Sequence, residues 1–290
     1  MPKSKIVVTG ANGQLGNELR LFSTYFPRYD FIFLSKEDLS IQHSGEVDRF
    51  FESERPDFCI NCAAYTAVDG AESEKEIAFA INGKSPGLLA VACRLNQTKL
   101  IHLSTDYVFD GSSSEPLKED APTDPVNIYG ASKLMGEELA LKNNPQTLVI
   151  RTAWVYSEFG NNFVKTMIRL MREKDLINVI NDQIGSPTYA ADLAKVILQI
   201  INSEKFIPGI YHYSNEGRIS WYDFARAIKD LIHSQCIINP IPASQYRSAA
   251  RRPAFSLLDK TKIRTVYDIE IPDWKTSLRS CIARIKEKEE

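Results

Sequence analysis

The sequence predicts an α/β fold built on a doubly wound parallel sheet. Three observations carry that expectation: short β-branched runs alternate with helical patterns, a glycine-rich turn follows the first run, and chemically active residues stand just after later ones. Residues 5–9 form the first run, the turn Gly10-Ala-Asn-Gly13-Gln-Leu-Gly16 follows, and residues 14–21 are helical behind it. Strand, turn and helix in that order are what a dinucleotide site requires. Glycines at 10, 13 and 16 permit a tight turn, a close phosphate and close packing of the next helix. Their three-residue spacing departs from G-x-G-x-x-G, so position carries this reading more than pattern does.

The remaining elements follow the same logic. Apolar runs at 31–34, 58–62 and 100–104 read as the second to fourth strands, with helical patterns at 47–53 and 86–95 between them. Residues 148–152 read as a further strand, and 163–171 as an amphipathic helix through Phe163, Met167, Leu170 and Met171. A turn-rich stretch, 182–188, precedes a helical pattern at 191–201. The expectation is a Rossmann-like dinucleotide-binding domain over 1–150 and a smaller C-terminal α/β substrate domain over 151–290, with about 161–201 returning to the first. The charged tail at 286–290 reads as a frayed, solvated helix end.

Composition narrows the function classes. Hydrophobic residues make up 43% and charged residues 25% of the 290, ordinary values for a globular protein. Lys plus Arg (35) nearly balances Asp plus Glu (37), so a net charge of −2 gives no general attraction to a nucleic acid polymer or an anionic membrane. The apolar stretch Ile6-Val7-Val8 is too short for a signal-peptide core or a membrane span, and a cytoplasmic location is expected. The five cysteines do not resemble a disulfide framework. Cys59 and Cys62 fall in one apolar run, where their odd spacing sends them to opposite faces and argues against redox or metal chemistry. The four histidines show no zinc-like spacing, and no serine-centred nucleophile elbow is present.

Tyr129-Gly-Ala-Ser-Lys133 is the pair with chemistry in it. Positions four apart on a helix share a face about 5–6 Å from each other. A free phenol has a pKa of about 10, and a neighbouring ammonium lowers it towards the range of general acid–base catalysis. Tyr129 is therefore the candidate acid and Lys133 its tuner. Ser104-Thr105-Asp106-Tyr107 follows the fourth strand at the same carboxyl edge, where a hydroxyl could hold a substrate oxygen. Asn61-Cys-Ala-Ala-Tyr-Thr66 ends the third strand; small Ala63 and Ala64 serve either close cofactor approach or strand-end packing. After the second strand, Ser35 and Lys36 stand where an acid usually binds the ribose of NAD. That favours NADPH over NADH, with Glu37 and Asp38 close by and an exposed surface lysine as the alternative for Lys36.

With these motifs the chain resembles the extended short-chain dehydrogenase/reductase superfamily and, within it, the dTDP-4-dehydrorhamnose reductase family. The resemblance runs through Asn61-Cys-Ala-Ala-Tyr-Thr-Ala-Val-Asp69, Leu103-Ser-Thr-Asp-Tyr-Val-Phe-Asp-Gly111, Arg151-Thr-Ala-Trp-Val-Tyr156, Asn181-Asp-Gln-Ile-Gly-Ser-Pro-Thr188, Ser220-Trp-Tyr-Asp-Phe-Ala225 and Ala250-Arg-Arg-Pro253. It implies reduction of the 4-keto group of dTDP-4-dehydro-6-deoxy-L-mannose by NADPH or NADH, giving dTDP-L-rhamnose. Thr105, Tyr129 and Lys133 would be catalytic, Lys133 also holding the nicotinamide ribose. Gly10, Asn12, Gly13, Gln14, Leu15, Ser35, Lys36, Ser40, Ile41, Ala63, Ala64, Tyr65 and Thr66, together with Tyr129 and Lys133, would bind cofactor. Val68, Thr105, Asp106, Tyr107 and Trp154 would meet substrate, with Arg252 either clamping its diphosphate or forming part of an exposed basic pair. Some members hold magnesium between subunits through glutamates; Asp192 stands at one such position here, and no catalytic metal is expected. A homodimer is compatible with the resemblance. Another nucleotide-sugar 4-ketoreductase, an epimerase and a non-enzymatic regulatory homologue are the alternatives, and joint retention of Thr105, Tyr129 and Lys133 speaks against the last.

Overall fold

Runs of β-branched and aromatic residues set the sheet. In the computed structural model, which describes residues 3–203 and 205–289, these are β1 (Ser4–Thr9), β2 (Tyr29–Leu34), β3 (Phe58–Asn61), β4 (Lys99–Thr105) and β5 (Thr147–Thr152). Between them lie α1 (Gln14–Ser23), α2 (Ser44–Glu54), α3 (Val68–Ala71), α4 (Lys75–Ala78), α5 (Ser85–Leu95) and α6 (Ile128–Asn143), with a π-helical stretch, Phe79–Lys84, joining α4 to α5. The second half adds β6 (Val155–Tyr156), α7 (Phe163–Glu173), β7 (Leu176–Ile180), β8 (Ile184–Gly185), β9 (Thr188–Tyr189), α8 (Ala190–Asn202) and β10 (Gly209–His212). It closes with β11 (Ile219–Ser220), α9 (Trp221–Ile232), β12 (Ile237–Ile241), α10 (Thr261–Tyr267) and α11 (Trp274–Glu289).

Six of these strands form one parallel sheet in the order β10-β5-β4-β3-β1-β2. The winding reverses between β1 and β3, and the carboxyl ends of strands at such a switch point leave a crevice for ligands. Side chains alternate across the sheet. Phe58 and Ile60 join Leu15, Leu19, Leu193 and Ile197 in the core under α1 and α8, whereas Cys59 joins Val47, Phe51, Leu89 and Cys93 under α2 and α5. Cys62 packs with the first of these cores, so Cys59 and Cys62 lie on opposite faces as free thiols.

A second core gathers Tyr156, Met167, Phe224, Leu278 and Trp274 between α7, α9 and α11. The chain crosses between the two cores more than once. α7 packs in the second core, while α8 lies in the first and β10 pairs with β5, so the return to the first layer runs through α8 and β10 rather than over the whole of 161–201. The charged tail is a helix end as read in the sequence, with residues 286–288 exposed. α11 continues to Glu289, and Lys288 sets its ammonium 3.6 Å from the Phe159 ring centre; Glu290 lies outside the described residues. Among the described residues no helix is long and apolar enough to cross a membrane.

Candidate active site

β1 ends at Thr9 and the chain turns at Gly10, whose φ of +67° lies in the left-handed region that favours glycine. A Cβ there would stand 2.6 Å from the Ala63 nitrogen, so the turn rests on the end of β3 at the switch point. Gly13 precedes α1 without a side-chain cap, and no acidic residue occupies the first helical turn. The early N–H groups and the positive end of the helix dipole are thus free for an anion, which suits a dinucleotide diphosphate.

A cleft of about 660 Å³ opens along this edge. Gly10, Asn12, Gly13, Gln14, Leu15, Ser35, Lys36, Ser40, Ile41, Ala63, Ala64, Thr66, Tyr129 and Lys133 all line it. Tyr65 does not: its N–H donates to Asn82 Oδ1 at 2.8 Å and its phenol donates to Glu74 at 2.9 Å. At the β2 end, Asp38 accepts bonds from both the N–H and the hydroxyl of Ser35 at 2.8 Å, which hold its carboxyl below the ordinary range. With Asp38 occupied in this way, Ser35, Lys36 and Glu37 are what that corner of the cleft presents. The Lys36 ammonium is 3.7 Å from Glu37 and largely in solvent.

The other end of the cleft is built on the start of α6. Asn127 caps the helix by accepting from the Gly130 N–H at 2.7 Å, and the Ile128 N–H donates to Glu72 at 2.8 Å. A Cβ on Gly130 would stand 2.2 Å from the Tyr107 carbonyl oxygen. Only glycine lets this first turn rest on the short helical turn Asp106–Val108, and that contact brings Tyr129 to Thr105. The Tyr107 and Tyr129 rings meet edge to face at 5.7 Å.

Electrostatics at this end depart from one expectation. Burial pushes the Tyr129 phenol up to about 12, opposed by the neighbouring Thr105 hydroxyl, and Lys133 is not among the groups that shift it. The Lys133 ammonium instead donates to the Leu103 carbonyl at 2.6 Å, and burial brings it down to about 8 against the pull of Glu137. A β4 carbonyl has claimed the charge that the pairing alone would assign to the phenol.

Several supporting residues escaped the sequence reading. Glu137, one turn beyond Lys133, accepts a bidentate pair from Arg151 (Nε to Oε1 3.0 Å, Nη2 to Oε2 2.8 Å) and a bond from the Ser104 hydroxyl, all buried. This network fixes the end of β4 against α6. Buried Asn82 donates to the Tyr65 carbonyl at 2.9 Å and to Ser132 at 3.1 Å, tying the segment after β3 to α6. Thr152, Val155, Gly160 and Asn161 complete the cleft wall. Gly160-Asn161 is a turn signal, but nothing local in the sequence says which cleft the turn would border.

On the outer side of Tyr129, Thr105 donates to Asp106 Oδ1 at 3.1 Å and accepts from the Tyr107 N–H at 3.2 Å. Burial pushes the Asp106 carboxyl up to about 6, and its Oδ2 has no hydrogen-bond partner among the described residues. Val68 opens α3, and its neighbour Asp69 takes Arg252 in a two-point ion pair (Nη2 to Oδ2 2.7 Å, Nη1 to Oδ1 3.3 Å). Arg252 thus spends its guanidinium on Asp69 in this geometry. The Ala250 N–H also donates to Asp69, and Asn127 donates to the Arg251 carbonyl, so the 250–252 segment is tied beside the start of α6. Trp154 stands two residues beyond Thr152. Asp192 is buried and accepts from Asn215 and Ser277, and among the described residues no group of three His, Cys, Asp or Glu is placed to hold a metal.

Comparison with known proteins agrees with this geometry. The sequence model of the family described as the RmlD substrate binding domain matches residues 4–287. A dTDP-4-dehydrorhamnose reductase of Aggregatibacter actinomycetemcomitans is 40% identical over 289 residues, covering 96% of this chain and 98% of that protein. A Streptomyces antibioticus protein named as a probable dTDP-4,6-dihydroxy-2-methyloxan-3-one 4-ketoreductase is 37% identical, covering 96% and 95%. The crystal structure of dTDP-4-dehydrorhamnose reductase from Bacillus anthracis in complex with NADP superposes with a TM-score of 0.93 at 39% identity, covering 97% of this chain and 99% of that one.

Proposed function

The chain belongs to the family of the RmlD substrate binding domain, and from that membership and the site geometry we propose that it is an NADPH-dependent oxidoreductase. Its substrate on this reading is dTDP-4-dehydro-6-deoxy-L-mannose, whose 4-keto group is reduced to give dTDP-L-rhamnose, the last step in making that nucleotide sugar. The observation that carries the proposal is the meeting of Thr105 and Tyr129, beside Lys133, at one end of a cleft whose other end is the Gly10 turn.

The cleft fits the cofactor. The uncapped start of α1 suits the diphosphate, Ser35 and Lys36 suit a ribose phosphate, and Ala63 and Ala64 leave room at the switch point. NADPH, when bound, supplies the hydride that goes to C4 of the sugar. The residues of the chain manage the oxygen. Tyr129, together with Thr105 once its hydroxyl turns from Asp106, holds the carbonyl oxygen by hydrogen bonds, and as negative charge develops there Tyr129 gives it a proton, so that one hydride and one proton convert ketone to alcohol. The Lys133 ammonium, held on the Leu103 carbonyl at the cleft wall, is placed for the nicotinamide ribose.

The 4-ketoreductase named for the Streptomyces antibioticus relative supports a second reading, in which a different dTDP-linked 4-keto sugar is the substrate. Incubation with each candidate sugar and each reduced nicotinamide, followed by identification of the sugar formed, separates the two. Faster turnover and tighter binding with NADPH than NADH are expected, and the reverse order would contradict the reading of Ser35 and Lys36.

A further inference from the structure

Trp154 adopts a φ of +50°, a conformation that a bulky side chain keeps only where its surroundings impose it. Those surroundings come from the second half of the chain. Trp221, the first residue of α9, lies flat on Trp154 with ring centres 3.6 Å apart and planes 14° from parallel. Gly185 of β8 abuts the same indole, since a Cβ there would stand 3.0 Å from its Cε2 and Cζ2 atoms. β8 and β11 pair antiparallel with Ile219 opposite Gly185, and Ser220 closes a capping box with Asp223 at the start of α9. One short ribbon therefore presents both Gly185 and Trp221 to Trp154.

Trp154 lies in the chain between Thr152 and Val155, which both line the cleft. It packs against the apolar cluster that contains Val108 and Phe109, of the segment that carries Thr105. We propose that Trp221 is a positioning residue for sugar binding: by stacking on Trp154 it fixes that indole beside the nucleotide sugar, so that the second half of the chain sets the shape of the substrate site. This inference rests on the nucleotide-sugar reading given above.

The test compares Trp221→Ala, Trp221→Phe and Gly185→Ala with the parent enzyme. In Trp221→Ala the KM for the keto sugar rises about tenfold or more while kcat changes by less than about threefold and NADPH affinity is kept; Trp221→Phe recovers most of the loss. Fluorotryptophan labelling reports the pose directly, because the chain has three tryptophans and the Trp154 fluorine resonance loses the ring-current shift of its partner in Trp221→Ala. Binding of dTDP-glucose, a nucleotide sugar with no ketone to reduce, weakens in parallel. A Trp154 resonance that does not move, or one that moves while KM and dTDP-glucose affinity stay within about twofold of the parent, would overturn the proposal. If Trp221→Ala fails to fold, Gly185→Ala decides, since it displaces the same indole with Trp221 intact; an unchanged KM there overturns the idea. A parent protein that binds dTDP-glucose but oxidises no NADPH overturns the reductase reading and leaves the dTDP-glucose comparison to judge Trp221. A parent that binds no dTDP-glucose overturns both.

Discussion

A buried phenol held near 12 stays protonated across ordinary pH, so Tyr129 stands ready as an acid before any ligand arrives. Removing its hydroxyl removes the proton donor and little else. Tyr129→Phe is expected to lower kcat by about 10²–10⁴-fold with NADPH affinity unchanged, as measured by turnover and cofactor titration. Lys133 gives a second handle. Its ammonium, brought down to about 8 by burial, is charged below that pH and neutral above it. Since that charge is what holds the nicotinamide ribose, kcat/KM should fall as pH rises through about 8, and a profile flat to about pH 10 would contradict the role given to Lys133. That Tyr129, Lys133 and Thr105 belong together was legible from spacing and order. That Lys133 bonds the Leu103 carbonyl was not, because a backbone acceptor leaves no trace in side-chain patterns.

At the scale of elements, the site depends on how closely α6 approaches the turn after β4. Gly130→Ala places a methyl 2.2 Å from the Tyr107 carbonyl oxygen, where the obstacle is backbone and cannot step aside. A loss of about 1–3 kcal/mol in stability and a fall in kcat are expected from denaturant unfolding and assay, because the first turn of α6 must lift and carry Tyr129 away from Thr105. β1, β3, β4 and β5 could be read from the chain, as each is a short apolar run bounded by turn residues. β6, β8 and β9 could not, since two-residue strands exist only through their partners and carry no periodicity. The π-helical stretch Phe79–Lys84, which places Asn82 between Tyr65 and Ser132, was hidden for the same reason: its register is set by tertiary contacts. Within one run after β3, Ala63, Ala64 and Thr66 reach the cleft while Tyr65 turns to Glu74.

Across the whole molecule, the two cores meet in polar clusters as well as in the Trp154–Trp221 stack. Glu18 of α1 is fully buried, accepts from Ser157 at 2.8 Å and lies 3.4 Å from Arg284 of α11, while Glu158 takes Arg284 at 3.1 Å and Tyr189 at 3.2 Å. Burial, reinforced by Glu158, pushes Glu18 up to about 8 from its ordinary 4.5. Between those values the folded protein holds a proton that the unfolded chain has released, so the contribution of Glu18 to stability declines as pH rises through about 8. Glu18→Gln should flatten the fall in Tm over that window, and an identical Tm profile for both proteins would remove Glu18 from the account. The paired contacts of α1, α11 and the 157–158 segment were not legible, because they join residues more than a hundred positions apart. On the proposed function, the cleft joins NADPH to a dTDP-linked 4-keto sugar through Tyr129. Mixing the protein with freshly generated dTDP-4-dehydro-6-deoxy-L-mannose and NADPH tests it most directly. One NADPH is expected to be oxidised for each dTDP-L-rhamnose formed, a reaction largely lost in Tyr129→Phe; no oxidation of either reduced nicotinamide, or full rate in the variant, would show that the cleft does not work in this way.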